Sequence, residues 1–206
     1  HHSTVFAART ETGQAAGTLA VEPTGSVGGS IALGGIRYVL RASGIDGLHA
    51  LLGVDPQVPH GHTQTCATQD VRTPSVEADS TQPVPDGNAP TLIDVCVFYT
   101  PAANQLAGGS MNTTIAAAIA QANVASQTCG VDHRLRLVHI AETNYVESGS
   151  VGDLALFRGT NDGSMDEVHQ IRADYGGDLM VLITSTAFFC GVAYGMPFPL
   201  TAARIN

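Results

Sequence analysis

The 206-residue sequence contains no lysine, and all nine of its basic side chains are arginine. That is a compositional habit without functional content. Eighteen acidic residues outweigh those bases, giving a formal net charge of −9. A nucleic-acid binder whose affinity rests on neutralising phosphates is therefore excluded. No apolar run approaches the ~20 residues needed to span a bilayer, so nothing here reads as a transmembrane segment. Charged residues are scarce at 13%, whereas hydrophobic residues reach 44%. That balance supports a buried core rather than disorder. The length suits one medium domain or two small ones. The chain opens at His1 without a methionine or signal peptide, and it stops at Asn206 after a Gly- and Pro-rich stretch.

Three regions differ in texture. Residues 1–55 read as short strands at Thr4–Arg9, Gly17–Glu22, Ser30–Leu33, Ile36–Arg41 and Leu48–Val54. Gly28-Gly29, Gly34-Gly35 and Asp46-Gly47 lie between them, supplying the positive φ that tight hairpins need. This predicts a small antiparallel sheet with too little core of its own, leaning on a neighbour. Residues 56–90 hold Pro56, Pro59, Pro74, Pro83, Pro85 and Pro90 among polar residues and read as an extended linker.

From 91 to 206 the pattern alternates between β and α. Ile93–Tyr99 is a nearly continuous apolar run, as expected of a strand covered on both faces. Thr100-Pro101 reads as N-cap and first residue of a helix. A second helix is expected over Asn112–Gln127, with Gly130 near its C-terminal cap. Val131–Ile140 alternates like a half-exposed strand, Ser164–Tyr175 reads as an amphipathic helix, and Asp178–Thr184 as a buried strand. The fold class expected is α+β overall, with an antiparallel β-rich region followed by a βα-alternating, mainly parallel sheet.

The chemistry-bearing residues are dispersed. No HExxH occurs, so no helix pairs two zinc-ligating histidines with a glutamate base. His133 and His139, six apart, fall on one face of a regular strand and read as surface residues. Asp166 and His169 are spaced for an ion pair on a helix surface. His60-Gly61-His62 with Cys66 is the densest group of potential ligands. It reads either as a solvated loop or as a source of a ligand to a metal held elsewhere. Cys66, Cys96, Cys129 and Cys190 form no CxxC and allow three disulfide pairings. Cys96 lies in a predicted core strand. Cys190, before Gly191, is a position where a nucleophile can sit, but no histidine in suitable context accompanies it. A disulfide is the favoured use of Cys190 if the protein is secreted.

A series of segments carries a resemblance. Ile93-Asp94-Val95 leads to Tyr99-Thr100-Pro101-Ala102-Ala103, followed by Ile115, Ile119 and Ala122-Asn123. Next come Gly130-Val131-Asp132 with Leu135-Arg136-Leu137-Val138. Asn161-Asp162-Gly163 then precedes Met165-Asp166-Glu167-Val168-His169 and Arg172. Asp178-Leu179 with Val181-Leu182, and Cys190-Gly191-Val192-Ala193-Tyr194, complete the series. In order and spacing, about 92–195 resembles the secreted bacterial zinc metallopeptidases of the metzincin type. The nearest pattern is the reprolysin-like group that includes the peptidyl-Asp metalloendopeptidases. Residues 1–55 resemble, more weakly, the β-rich pro-region of such enzymes.

The resemblance implies a precursor of a zinc-dependent endopeptidase acting on peptides or proteins, with no nucleic-acid or membrane partner. Region 91–206 is then the N-terminal part of the catalytic domain. The zinc helix HExxHxxGxxH follows this region in the family and has no counterpart here, so the chain is expected to stop before it. No catalytic or metal-ligating residue is therefore assigned within the chain, and the chain by itself is expected to be inactive. Gly191, Val192, Ala193 and Tyr194 match the edge strand to which a substrate adds as an antiparallel strand. Cys66 is placed to act as a pro-region thiolate that blocks the metal. The linker is the expected processing site, with the mature enzyme starting near Thr91. A preference for acidic residues requires basic groups, and the pattern does not assign Arg134, Arg136 or Arg172 to that task. Two other readings remain open: a secreted binding module without a catalytic site, and a cysteine hydrolase using Cys190.

Overall fold

The computed structural model describes residues 3–13, 15–45, 47–54, 67–70, 90–149, 152–185 and 191–195. Strands β1 (Thr4–Arg9), β2 (Ala15–Val21), β3 (Val27–Leu33), β4 (Ile36–Ala42) and β5 (His49–Val54) form an antiparallel meander in sequence order. The two-residue connection between β3 and β4 is Gly34-Gly35, with φ of 59° and 82°. Positive φ at both positions matches the turn to the twist of its flanking strands. One face of this sheet is exposed, leaving Phe6, Leu33 and Leu51 in water. The other buries Ala16, Thr18, Ala20 and Ser30, all small.

That small-residue face rests on helix α2 (Met111–Thr128). Ala20 packs with Ala116 and Ala117, and the Thr18 hydroxyl donates to the Ala117 carbonyl at 3.3 Å. At the rim, Arg37 donates to Gln121 Oε1 at 3.1 Å. A cleft of about 390 Å³ remains between β4 and the helices, lined in part by Val39, Leu40, Leu106 and Met111. The first region does lean on a neighbour, through alanine methyls and a few polar contacts.

The opposite side of α2 serves a second sheet, in which β7 (Thr91–Tyr99) lies between β8 (His133–Glu142) and β9 (Leu179–Ile183), all parallel. The apolar run of β7 is explained by its two covered faces. Val95, Val97 and Tyr99 pack with Met111 and Ile115 of α2. Cys96 and Phe98 pack on the far side with Phe157, Met165 and Val168. Those last residues belong to or precede α3 (Gly152–Arg158) and α4 (Glu167–Tyr175). Helix α1 (Pro101–Leu106) starts as its sequence predicts, with the Thr100 hydroxyl accepting from Ala103 N at 3.1 Å. After α2, Gly130 takes φ 69° and stops the helix.

Three local expectations are corrected. First, β8 carries an irregularity: Val95 faces Leu137, but Cys96 faces His139, so Val138 is an extra residue. A bulge shifts the alternation by one. His133 therefore stays on the α2 side, bonded to Ser126 at 3.1 Å, while His139 turns to the other face. There it is half-buried between Phe98 and Tyr175, with ring centroids 5.9 and 4.3 Å away, and is not a surface residue. Second, α4 begins at Glu167 rather than near Ser164, because Asn161 and Met165 take positive φ in the preceding loop. Third, Asp166 does not pair with His169; its carboxylate accepts the backbone N–H of Asp162 and Gly163 at 3.2 and 3.0 Å.

Within the segment read as linker, Ala67–Asp70 forms strand β6. It pairs in parallel with β10 (Val192–Gly195) as a separate two-stranded unit.

Candidate cleft at the strand ends

In open parallel sheets, ligands gather beyond the carboxyl ends of the strands. Here those ends are Tyr99-Thr100, Glu142-Thr143 and Ile183-Thr184-Ser185. Glu147 ties two of them together. Its carboxylate accepts the Thr100 hydroxyl at 3.1 Å and the Ser185 backbone N–H at 2.8 Å, and the Ser185 hydroxyl also bonds it. Thr143 N donates to the Tyr99 carbonyl at 2.9 Å, which joins the end of β8 to the same point.

The loop that carries Glu147 is shaped by Asp153, buried in the first turn of α3. Asp153 accepts from Tyr145 Oη at 2.7 Å, Ser148 N at 3.0 Å, Ser148 Oγ at 2.6 Å and Gly149 N at 3.0 Å. Burial pushes its carboxyl up, but these donors outweigh burial and hold it below its ordinary value. The Tyr145 phenol is pushed up to about 12, first by burial and then by its bond to Asp153.

The other end of α3 reaches β10. Phe157 is buried in the core, and the adjacent Arg158 is exposed, its guanidinium carbon 4.6 Å from the centre of the Tyr194 ring. Tyr194, one of the residues matched to the edge strand, thus lies beside a cation. Gly191 and Ala193 are exposed, and Val192 and Tyr194 half-buried. Among the described residues β10 pairs only with β6, in the register Val192 with Ala67, Ala193 with Thr68, Tyr194 with Gln69 and Gly195 with Asp70.

Cys66 and Cys190 lie outside the described residues. Cys96 is fully buried and free, its thiol pushed up by burial, and Cys129 is exposed and free. The arginines considered for an acid-binding pocket are engaged elsewhere. Arg136 makes a two-pronged pair with Asp94, both contacts 2.6 Å. Arg172 donates to the carbonyls of Gly177 and Asp178 at 2.8 and 3.2 Å, and Arg134 to that of His133 at 2.6 Å. Among the described residues, no three His, Cys, Asp or Glu side chains gather to hold a metal. His139 and His169 each bury Nε2 without a hydrogen-bond partner, but no other ligand joins them. These residues do not fit a catalytic metal.

Sequence reasoning missed Glu147, Asp153 and Arg158. The only local signal for them was the short run Asp153–Arg158, with its acid at the start and base at the end of a helical turn.

Comparison with known proteins supplies the remaining observation. The chain is 33% identical over 180 residues to a peptidyl-Asp metalloendopeptidase of Xanthomonas campestris pv. campestris, covering 83% of this chain and 41% of that protein. It is 33% identical over 174 residues to one of Stenotrophomonas maltophilia, with the same coverage. The chain resembles the peptidyl-Asp metalloendopeptidases. A protein of that name from Pseudomonas aeruginosa is 35% identical over 113 residues, 52% of this chain and 18% of that protein. The chain spans about two-fifths of the length of the first two relatives (41%). No family model matches it, and no solved structure matches it.

Proposed function

We propose that the complete protein is a secreted zinc metalloendopeptidase that cleaves beside aspartate and is made as a precursor. Residues 1–55 are its pro-region, 56–90 its processed linker, and 91–206 the N-terminal part of a metzincin-like catalytic domain. The zinc ligands and the glutamate base lie outside this chain. A metal in such an enzyme supplies an activated water for attack on the peptide carbonyl. The chain's own residues contribute the floor of the cleft and the strand along which the substrate lies.

The observation that carries this reading is the similarity over 83% of the chain to proteins named for metal-dependent cleavage at aspartate. The pairing of β6 with β10 supports the precursor. A substrate strand adds to such an edge by backbone hydrogen bonds, and here four residues of the linker already occupy it. They run parallel to β10, opposite in direction to an antiparallel substrate.

The test uses the full-length protein and residues 1–206 side by side, with a quenched peptide containing one aspartate. Full-length protein is expected to cleave it after linker processing, to stop on chelation and to recover with zinc. Residues 1–206 are expected to be inert. Cleavage that is indifferent to chelator, or absent from the processed full-length protein, overturns the reading.

A further inference from the structure

Recognition of an aspartate requires a cation whose hydrogen bonds are not already committed. Four arginines lie in the described part of 91–195: Arg134, Arg136, Arg158 and Arg172. Three are engaged, by backbone carbonyls or by Asp94. Arg158 has no hydrogen-bond or ion-pair partner among the described residues; its one contact is the face of Tyr194. That contact has a specific consequence. A guanidinium held over a ring by cation–π attraction still has N–H donors to offer another partner. The planar fork then matches a carboxylate in two-pronged fashion. Tyr194 lies on the strand proposed to bind substrate, opposite Gln69 in the present pairing. A peptide on β10 therefore passes one strand spacing, about 4.8 Å, from the backbone of Tyr194, whose ring meets the cation. Phe157 next door is only 4% exposed and anchors the end of α3 from which Arg158 extends.

We propose that Arg158, held over the Tyr194 ring, is the specificity-determining cation for the aspartate carboxylate of a peptide bound along β10. This rests on the peptidase reading above and names the residue behind its preference.

The test compares two quenched peptides that differ only by Asp or Asn at the cleavage position, using processed full-length protein. Arg158→Gln is expected to lower kcat/KM for the Asp peptide by roughly 10- to 100-fold, the scale of a lost charge-assisted hydrogen bond. The Asn peptide offers the guanidinium no charge, so its cleavage is expected to fall less and the Asp-to-Asn ratio to drop. Arg158→Glu is expected to go further and to favour a peptide with Lys at that position. An Asp-to-Asn ratio unchanged from wild type in both variants overturns the assignment, as does an equal fall on both peptides. In those cases chelator-sensitive cleavage persists and the peptidase reading stands. A processed wild-type protein inactive on both peptides overturns both.

Discussion

Glu147 and Ser185 are joined twice, through the serine backbone N–H at 2.8 Å and through its hydroxyl. The bond fixes the point where the chain leaves β9 on its way to β10. A charged acceptor receiving both, plus Thr100, makes removal costly. Glu147→Ala is expected to destabilise residues 1–206 by about 2–3 kcal/mol, and Glu147→Gln by less, because its amide oxygen still accepts. Urea denaturation of the three proteins measures this. Equal midpoints would show that the clamp contributes nothing.

Tyr145 and Asp153 set a pH dependence with a defined sign. The phenol is raised in the fold, to about 12, above its unfolded value near 10. Its contribution is therefore complete below pH ~10 and is lost as pH rises through the folded value. The carboxyl of Asp153 is lowered, so its contribution is present above its unfolded value and is lost in acid. Melting temperatures of wild type and Tyr145→Phe are expected to differ by a constant amount from neutral pH to about 10, then to converge at higher pH. A gap that stays constant into strong alkali refutes the assignment.

Among the described residues, the free cysteines Cys96 and Cys129 differ in access. Cys129 is expected to be alkylated at once in the native protein, and Cys96 only after unfolding, since it is buried and its thiol pKa is raised. Peptide mapping after brief alkylation distinguishes them. Rapid labelling of Cys96 under native conditions contradicts the packing around β7.

The strand that covers β10 invites a direct test of latency. Replacing both Thr68 and Gln69 by proline removes their backbone donors and prevents strand pairing. In the unprocessed full-length protein this is expected to raise activity severalfold without affecting the processed form. Cys66→Ser, two residues upstream, is expected to raise it as well if the thiolate occupies the metal. Latency unchanged in both variants argues against any blocking role for this segment.

Strong local signals were legible in the sequence. The hairpins around Gly34-Gly35, the doubly covered β7 and the Thr100-Pro101 helix start each follow from short-range chemistry. What escaped depended on distant partners or single-residue irregularities. The Val138 bulge reverses the facing of His139, and no alternation pattern announces it. Ala67–Asp70 has neither apolar periodicity nor turn signals, and its strand exists through a partner 125 residues away at Val192. Arg158 looks like any helix-terminal arginine until Tyr194, 36 residues later, is brought beneath it.

Helix α2 has two unlike sides. It turns Met111 and Ile115 toward the parallel sheet and the methyl groups of Ala116 and Ala117 toward the antiparallel one. Hydrophobic stabilisation scales with apolar area, so a methyl-lined contact is weak beside one made of isoleucine and methionine. The two sheets thus meet one shaft through side chains of unequal size. A break in the connecting chain would leave the five-stranded sheet held to α2 by these methyl contacts and by the hydrogen bonds of Thr18 and Arg37.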